Sequence, residues 1–175
     1  DYDIYAQRID VDGVVQWTTN GIAVCNASQT QSAPRIVSDG AGGAIITWVD
    51  LRGGVNYDVY AQRVDASGTV QWTANGVPIC TAANSKAGLA LTTDGAGGAI
   101  ITWRDRRNGP PKGPLDIYAQ RINAAGVVQW TVDGVAICTQ AAAQDNPGIA
   151  PDGLKGAIIA WDDTRNTDND IYAQH

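Results

Sequence analysis

The chain has 175 residues, 44% of them hydrophobic and 17% charged, with a net charge of −6, which suits one globular domain or a set of small repeated units. The acidic balance argues against nucleic acid or an anionic membrane surface as partner, because both select a cationic face. All 18 acids are Asp, Glu, Met and Phe are absent, and with 20 Gly and many Thr, Val and Ile the chain reads as all-β.

Taken in chain order, the first predicted strand is Asp3-Ile-Tyr-Ala-Gln-Arg8, and the next runs through Val15-Gln16-Trp17 to a turn at Asn20-Gly21. A strand at 34–38 leads into the Gly-rich turn 39–43, whose glycines supply the positive φ of a tight hairpin, and then into 44–49, apolar on both faces. The order then repeats. DVYAQR at 58–63 is followed by Val-Gln-Trp at Trp72 and a turn at Asn75-Gly76, then by 89–93, the turn 94–98 and the Ala-Ile-Ile-Thr-Trp run ending at Trp103. DIYAQR at 116–121 leads to Trp130 and Asp133-Gly134, then to a shorter strand at 148–150, the run ending at Trp161, and DIYAQ at 170–174.

The spacing is informative. From the Asp of DIYAQ to the Trp of the apolar run is 45 residues in every copy, whereas from that Trp to the next Asp is 10, 13 and 9. A rigid module with one adaptable loop gives this pattern. Four-stranded units of about 55 residues, each needing neighbours on two faces, describe blades of a β-propeller, with a β-trefoil as the alternative. The predicted division is 1–33 as the last two strands of a split blade, 34–87 and 88–146 as blades, and 147–175 as the first three strands of a split blade. Both termini carry DIYAQ, so the strand count is odd. Two solutions are expected: copies joined head to tail, a dimer giving six blades, or a longer repeat chain. A start at Asp1 without Met reads as a processed or excised piece of a precursor.

The DIYAQR…GxVQW…DGAGGAIITWxDxR string resembles a group of secreted bacterial repeat proteins of β-propeller type, over nearly the whole chain. That resemblance implies a secreted or cell-surface, extracellular location, and it is silent on activity.

Several chemistries fail on inventory. Ser-His-Asp and Cys-His sites need an internal His, and the only His is His175. Cys25, Cys80 and Cys138 stand at equivalent places about 55 residues apart, unlike a zinc-binding pair, and read as small buried apolar residues. Trp48, Trp103 and Trp161 read as core anchors; Trp17, Trp72 and Trp130 could stack on sugar rings but read first as packing. The Trp-x-Asp-x-Arg element sets Asp50 with Arg52, Asp105 with Arg107 and Asp163 with Arg165. Its recurrence favours a salt-bridge and turn network, and its functional reading is a ring of charge that binds a polar ligand. Asn166, Asp168 and Asp170 alternate as oxygen ligands for Ca2+ would, but without an EF-hand's Glu and Gly they read first as a solvated turn. No other cofactor is indicated.

The resulting expectation is a non-enzymatic binding or scaffold module whose partners are glycans, proteins or copies of itself. A self-assembling structural unit is one alternative. A sialidase-like glycosidase is the other, disfavoured by the absent Glu and by units too alike to give one of them a distinct site.

Overall fold

A computed structural model describes residues 1–108 and 114–175. Among the described residues there are thirteen strands and no helix, so none is long and apolar enough to cross a membrane. The strands form four antiparallel sheets, none of which closes on itself.

The first sheet pairs β1 (Ile4–Ala6) with β2 (Ile22–Cys25). The second is a meander of β3 (Gln31–Ser38), β4 (Ala44–Asp50), β5 (Asp58–Val64) and β6 (Val77–Cys80). The third repeats it with β7 (Lys86–Thr93), β8 (Ala99–Asp105), β9 (Asp116–Ile122) and β10 (Val135–Cys138). The fourth has β11 (Gln144–Pro151), β12 (Ala157–Asp163) and β13 (Asp170–Gln174). Consecutive sheets meet through their first strands: β3 lies against β7, and β7 against β11.

The core is divided into three slabs between neighbouring sheets. Ile4, Val24 and Cys25 meet Ile46 and Trp48 in one; Ile45 and Val59 meet Leu89, Ile101 and Trp103 in the next; Ile117 and Cys138 meet Ile159 and Trp161 in the third. β4 therefore gives Ile45 to one slab and Ile46 to another, which is why its sequence is apolar on both faces.

Each unit is closed by the same local chemistry. In the first hairpin turn Asp39 Oδ1 accepts the N–H of Ala41 and of Gly43, both at 2.8 Å, and Asp94 does the same for Ala96 and Gly98. Arg63 and Arg121 reach back from β5 and β9 to the second carboxylate oxygen of those Asp residues, each at 2.9 Å. The first strands begin earlier than predicted, because pairing resumes beyond a bulge, as between Ser32 and Arg35. The bulge carries a positive φ at Ala33, Gly88 and Asn146 (53°, 61° and 50°).

The fourth strand of each unit lies elsewhere than expected. Val-Gln-Trp stands before the Asn-Gly turn and makes only one bridge, Val70 to Val64 in the second unit, while the ladder strand is Val77–Cys80 after that turn. The cause is Gln62: its Oε1 accepts the Trp72 N–H at 2.9 Å and its Nε2 donates to the Thr73 carbonyl at 2.9 Å. Gln7 and Gln120 hold Trp17 and Trp130 in the same way. These Trp residues consequently lie outside the strands.

Candidate functional site

The Trp-x-Asp-x-Arg element forms one repeated cluster. In the second sheet, Asp50 Oδ2 accepts Trp48 Nε1 at 2.8 Å and Arg52 Nη2 at 2.5 Å, while its Oδ1 accepts the Arg52 backbone N–H at 2.9 Å. Trp48 and Asp50 lie two apart on the same strand face, and the chain turns immediately after Asp50, so Arg52 folds back on its own neighbour. The Arg52 guanidinium also stacks 3.8 Å over the Tyr60 ring and donates Nη2 to the Asn75 carbonyl at 2.8 Å. Asp105 with Trp103, Arg107 and Tyr118 repeats the arrangement, as does Asp163 with Trp161, Arg165 and Tyr172.

A third component comes from the preceding sheet. Cys25 of β2 lies 3.3 Å from Arg52 Nη2, Cys80 lies 3.1 Å from Arg107 Nη2, and Cys138 lies 3.2 Å from Arg165 Nη2. Each cluster thus joins one sheet to its neighbour. The three Asp side chains are fully buried, whereas the Arg side chains keep 16–27% of their surface in water. Burial pushes the Asp50 carboxyl up, but the Arg52 guanidinium, the Trp48 indole N–H and the Arg52 backbone N–H outweigh it and hold Asp50 below the ordinary carboxylate value. The Arg165 guanidinium does the same for Asp163. A carboxylate saturated in this way stays ionised and fixed. What a ligand from solution would meet is the outer edge of the three guanidiniums.

The three cysteines are free and buried. Burial pushes the Cys80 thiol up to about 12, so it carries almost no thiolate at neutral pH. We expect a thiol reagent such as DTNB at mildly alkaline pH to leave native Cys80 unmodified and to titrate all three Cys after unfolding. Rapid labelling of native Cys80 would contradict this burial.

The sequence alone does not reveal the residues opening the first strands. Gln31, Lys86 and Gln144 are buried at one repeat position. Lys86 donates Nζ to Asp58 at 3.2 Å and to the carbonyls of Ala82 and Asn84. The Asp that opens DIYAQ thereby has a partner other than the cluster Arg: Lys86 for Asp58, Asn108 for Asp116 at 2.9 Å, and Asn166 for Asp170 at 3.0 Å. Lining up the copies would have exposed the cation standing where the other units have Gln.

Of the proposed calcium residues, Asn166 and Asp168 lie in the turn before β13 and Asp170 opens that strand. Asn166 presents Nδ2, a donor, to Asp170 and to the Tyr172 hydroxyl, repeating what Asn108 does with Asp116 and Tyr118, and Asp168 is exposed. Among the described residues no group of three or more His, Cys, Asp or Glu is placed to hold a metal ion. The connection from β8 to β9, basic and proline-containing in sequence, lies partly outside the described residues, at 109–113.

The buried carboxylates set a sign for acid stability. Burial raises Asp39 and Asp94, but the N–H groups of Ala41 and Ala96 and the guanidiniums of Arg63 and Arg121 outweigh it, so both, like Asp50 and Asp163, are held low. A carboxyl lowered on folding stabilises in full above its unfolded value of about 4, and that contribution fades as pH falls through the folded value. Asp116, raised by burial, works in the opposite direction. Urea midpoints read by Trp fluorescence are therefore expected to be similar at about pH 7 and 5 and clearly lower at about pH 3. An unchanged midpoint at the acid end would contradict the assignment.

No protein family, curated protein or solved structure matches the chain.

Proposed function

We propose that the chain is a non-enzymatic, extracellular β-propeller module that binds glycans or proteins or serves as a scaffold, its sheets acting as two whole blades and two partial ones around a common axis. The observation that carries this reading is the recurrence of one buried Asp-Arg-Trp cluster in three sheets, each engaged in the same internal contacts. The repeated charges hold the fold together, so diversity is left to the loops.

Those loops share one end of the sheets. The connection before β3 meets the loop after β4 through Leu51 N–H to Thr30 at 2.9 Å, and the corresponding segments of the last sheet meet through Thr164 N–H to Ala143 at 3.2 Å. This end carries all the length variation between units and the outer edges of Arg52, Arg107 and Arg165, which would contact a polar ligand. A secreted or cell-surface setting accords with the repeat resemblance, although free, buried thiols make no demand on redox compartment.

A glycan array and a pull-down of surface proteins, each repeated with Arg52→Ala, Arg107→Ala and Arg165→Ala, test the reading. Binding that weakens in variants whose thermal melts show them still folded supports it. Turnover of a chromogenic glycoside panel, or absence of any glycan or protein ligand, overturns it.

A further inference from the structure

We propose that a second copy of this chain docks head to tail on the β11–β13 sheet, its β1–β2 segment clasped by Trp130. The inference rests on the propeller reading above and names the contacts that would carry the array from one copy to the next.

Neighbouring sheets within the chain are joined by a clasp seen twice. Trp17 donates Nε1 to the Ala66 carbonyl at 3.1 Å and its ring covers Gly68, where a Cβ would come within 3.0 Å of the indole. Trp72 repeats this with the Ala124 carbonyl at 3.1 Å and Gly126. Beside each clasp a backbone N–H meets the side chain of the next Asn-Gly or Asp-Gly turn: Asn26 to Asn75 at 3.0 Å, Thr81 to Asp133 at 2.7 Å. The third donor set, Trp130 and Thr139, has no such turn against it among the described residues, and Trp130 is 36% exposed.

The matching acceptor lies at the other end of the molecule. The turn at 10–13 is the counterpart of those holding Gly68 and Gly126, yet a Cβ on Gly13 would meet nothing within 4 Å and Val11 is 99% exposed. Ile9 is 65% exposed although its counterparts Val64 and Ile122 are fully buried. Trp130 with Gly13, and Thr139 with Asn20, are thus the two halves of one further clasp.

The same pairing completes the outer sheets. Trp48 and Trp103 lie against Gly76 and Gly134, whereas Gly21 meets only Ala6 and would receive Trp161. Asp152 is held by His175 at 2.8 Å, at the position where the other units place Arg63 and Arg121; Arg8 is the remaining Arg of that set and pairs with no carboxylate among the described residues. A cavity of 350 Å³ lined by Cys138, Trp161, Arg165 and Tyr172 marks where β2 would lie. Entry of β1 displaces β13, but both carry Asp-Ile-Tyr-Ala-Gln, so the ladder on β12 is re-formed with the same side chains. The exchange adds a fourth strand, a guanidinium for Asp152 and the Trp130 clasp. A closed pair then holds six sheets, three per chain.

Native mass spectrometry and light scattering on the full chain over a wide concentration range test the proposal, with Trp130→Ala and Gly13→Asn as variants. Gly13 is free of contacts within the chain and Asn tolerates the positive φ of 78°, so Gly13→Asn should leave the fold of the single chain intact, and Trp130→Ala, which also removes packing from a residue only 36% exposed, is read against it. Expected is a species of twice the 18.4 kDa chain mass, with self-association weakened roughly tenfold or more in each variant. A ladder of masses equally sensitive to both variants also supports the docking, as a contact that continues without closing. An assembly indifferent to both variants overturns the clasp and leaves the propeller reading standing. A monomer at every concentration overturns the docking. The binding module is then judged separately by its ligands, since a monomer that still binds glycan through its loops preserves that function.

Discussion

Asp105→Ala is expected to destabilise the protein by about 3–5 kcal/mol, the scale for removing one partner of a buried ion pair. The carboxylate is fully buried and accepts from Trp103 Nε1 at 2.8 Å, from the Arg107 backbone at 2.7 Å and from Arg107 Nη2 at 2.6 Å. Its loss strands an indole N–H in the core and leaves a guanidinium on the Tyr118 ring without its counter-charge. Cys80 of β6 loses contact with the same centre, so the slab between the second and third sheets loosens as well. The shift in urea midpoint relative to wild type measures the effect, and a double-mutant cycle with Arg107→Met isolates the pair. A loss under about 1 kcal/mol would mean that the cluster does not hold the sheets together.

Gly98→Ala is expected to be at least as damaging, on the order of 3 kcal/mol or more, or to prevent folding. A Cβ there would lie 2.2 Å from the Ile122 carbonyl oxygen and 2.7 Å from Asp94 Oδ2, and the first of these is backbone that cannot swing away. Gly53→Ala is the contrast: a Cβ meets nothing within 4 Å and the residue is not in the positive-φ set. It is expected to stay within about 0.5 kcal/mol of wild type. Thermal melts of the two variants side by side would decide, and equal melting temperatures would contradict the geometry of the turn.

These two sites show how far the sequence could be read. The Gly-rich turns, the doubly apolar strands and the DIYAQR strands were legible, because turn chemistry and periodicity are local. The fourth strands were not. Val77–Cys80 is only four residues long and holds a Pro, while the more β-like Val70-Gln71-Trp72 is held by the side chain of Gln62, ten residues away from Trp72. The Asp-Arg pairing was visible at its two-residue spacing, whereas Tyr60 and Cys25 join it from a paired strand and from a neighbouring sheet. Neither Trp72 on Gly126 nor the buried Lys86 announces itself locally, since each is defined by contacts between units.

The Cys of one sheet lies against the Asp-Arg pair of the next, and the Trp of one against the Gly turn of the next, with the same residues at successive junctions. Any unit can therefore follow any other. In genetic terms, an in-frame duplication or deletion of one unit yields a chain whose new junction is already complementary, with no compensating mutation required. Array length is then free to change by gain or loss of whole units, while the loops diverge independently.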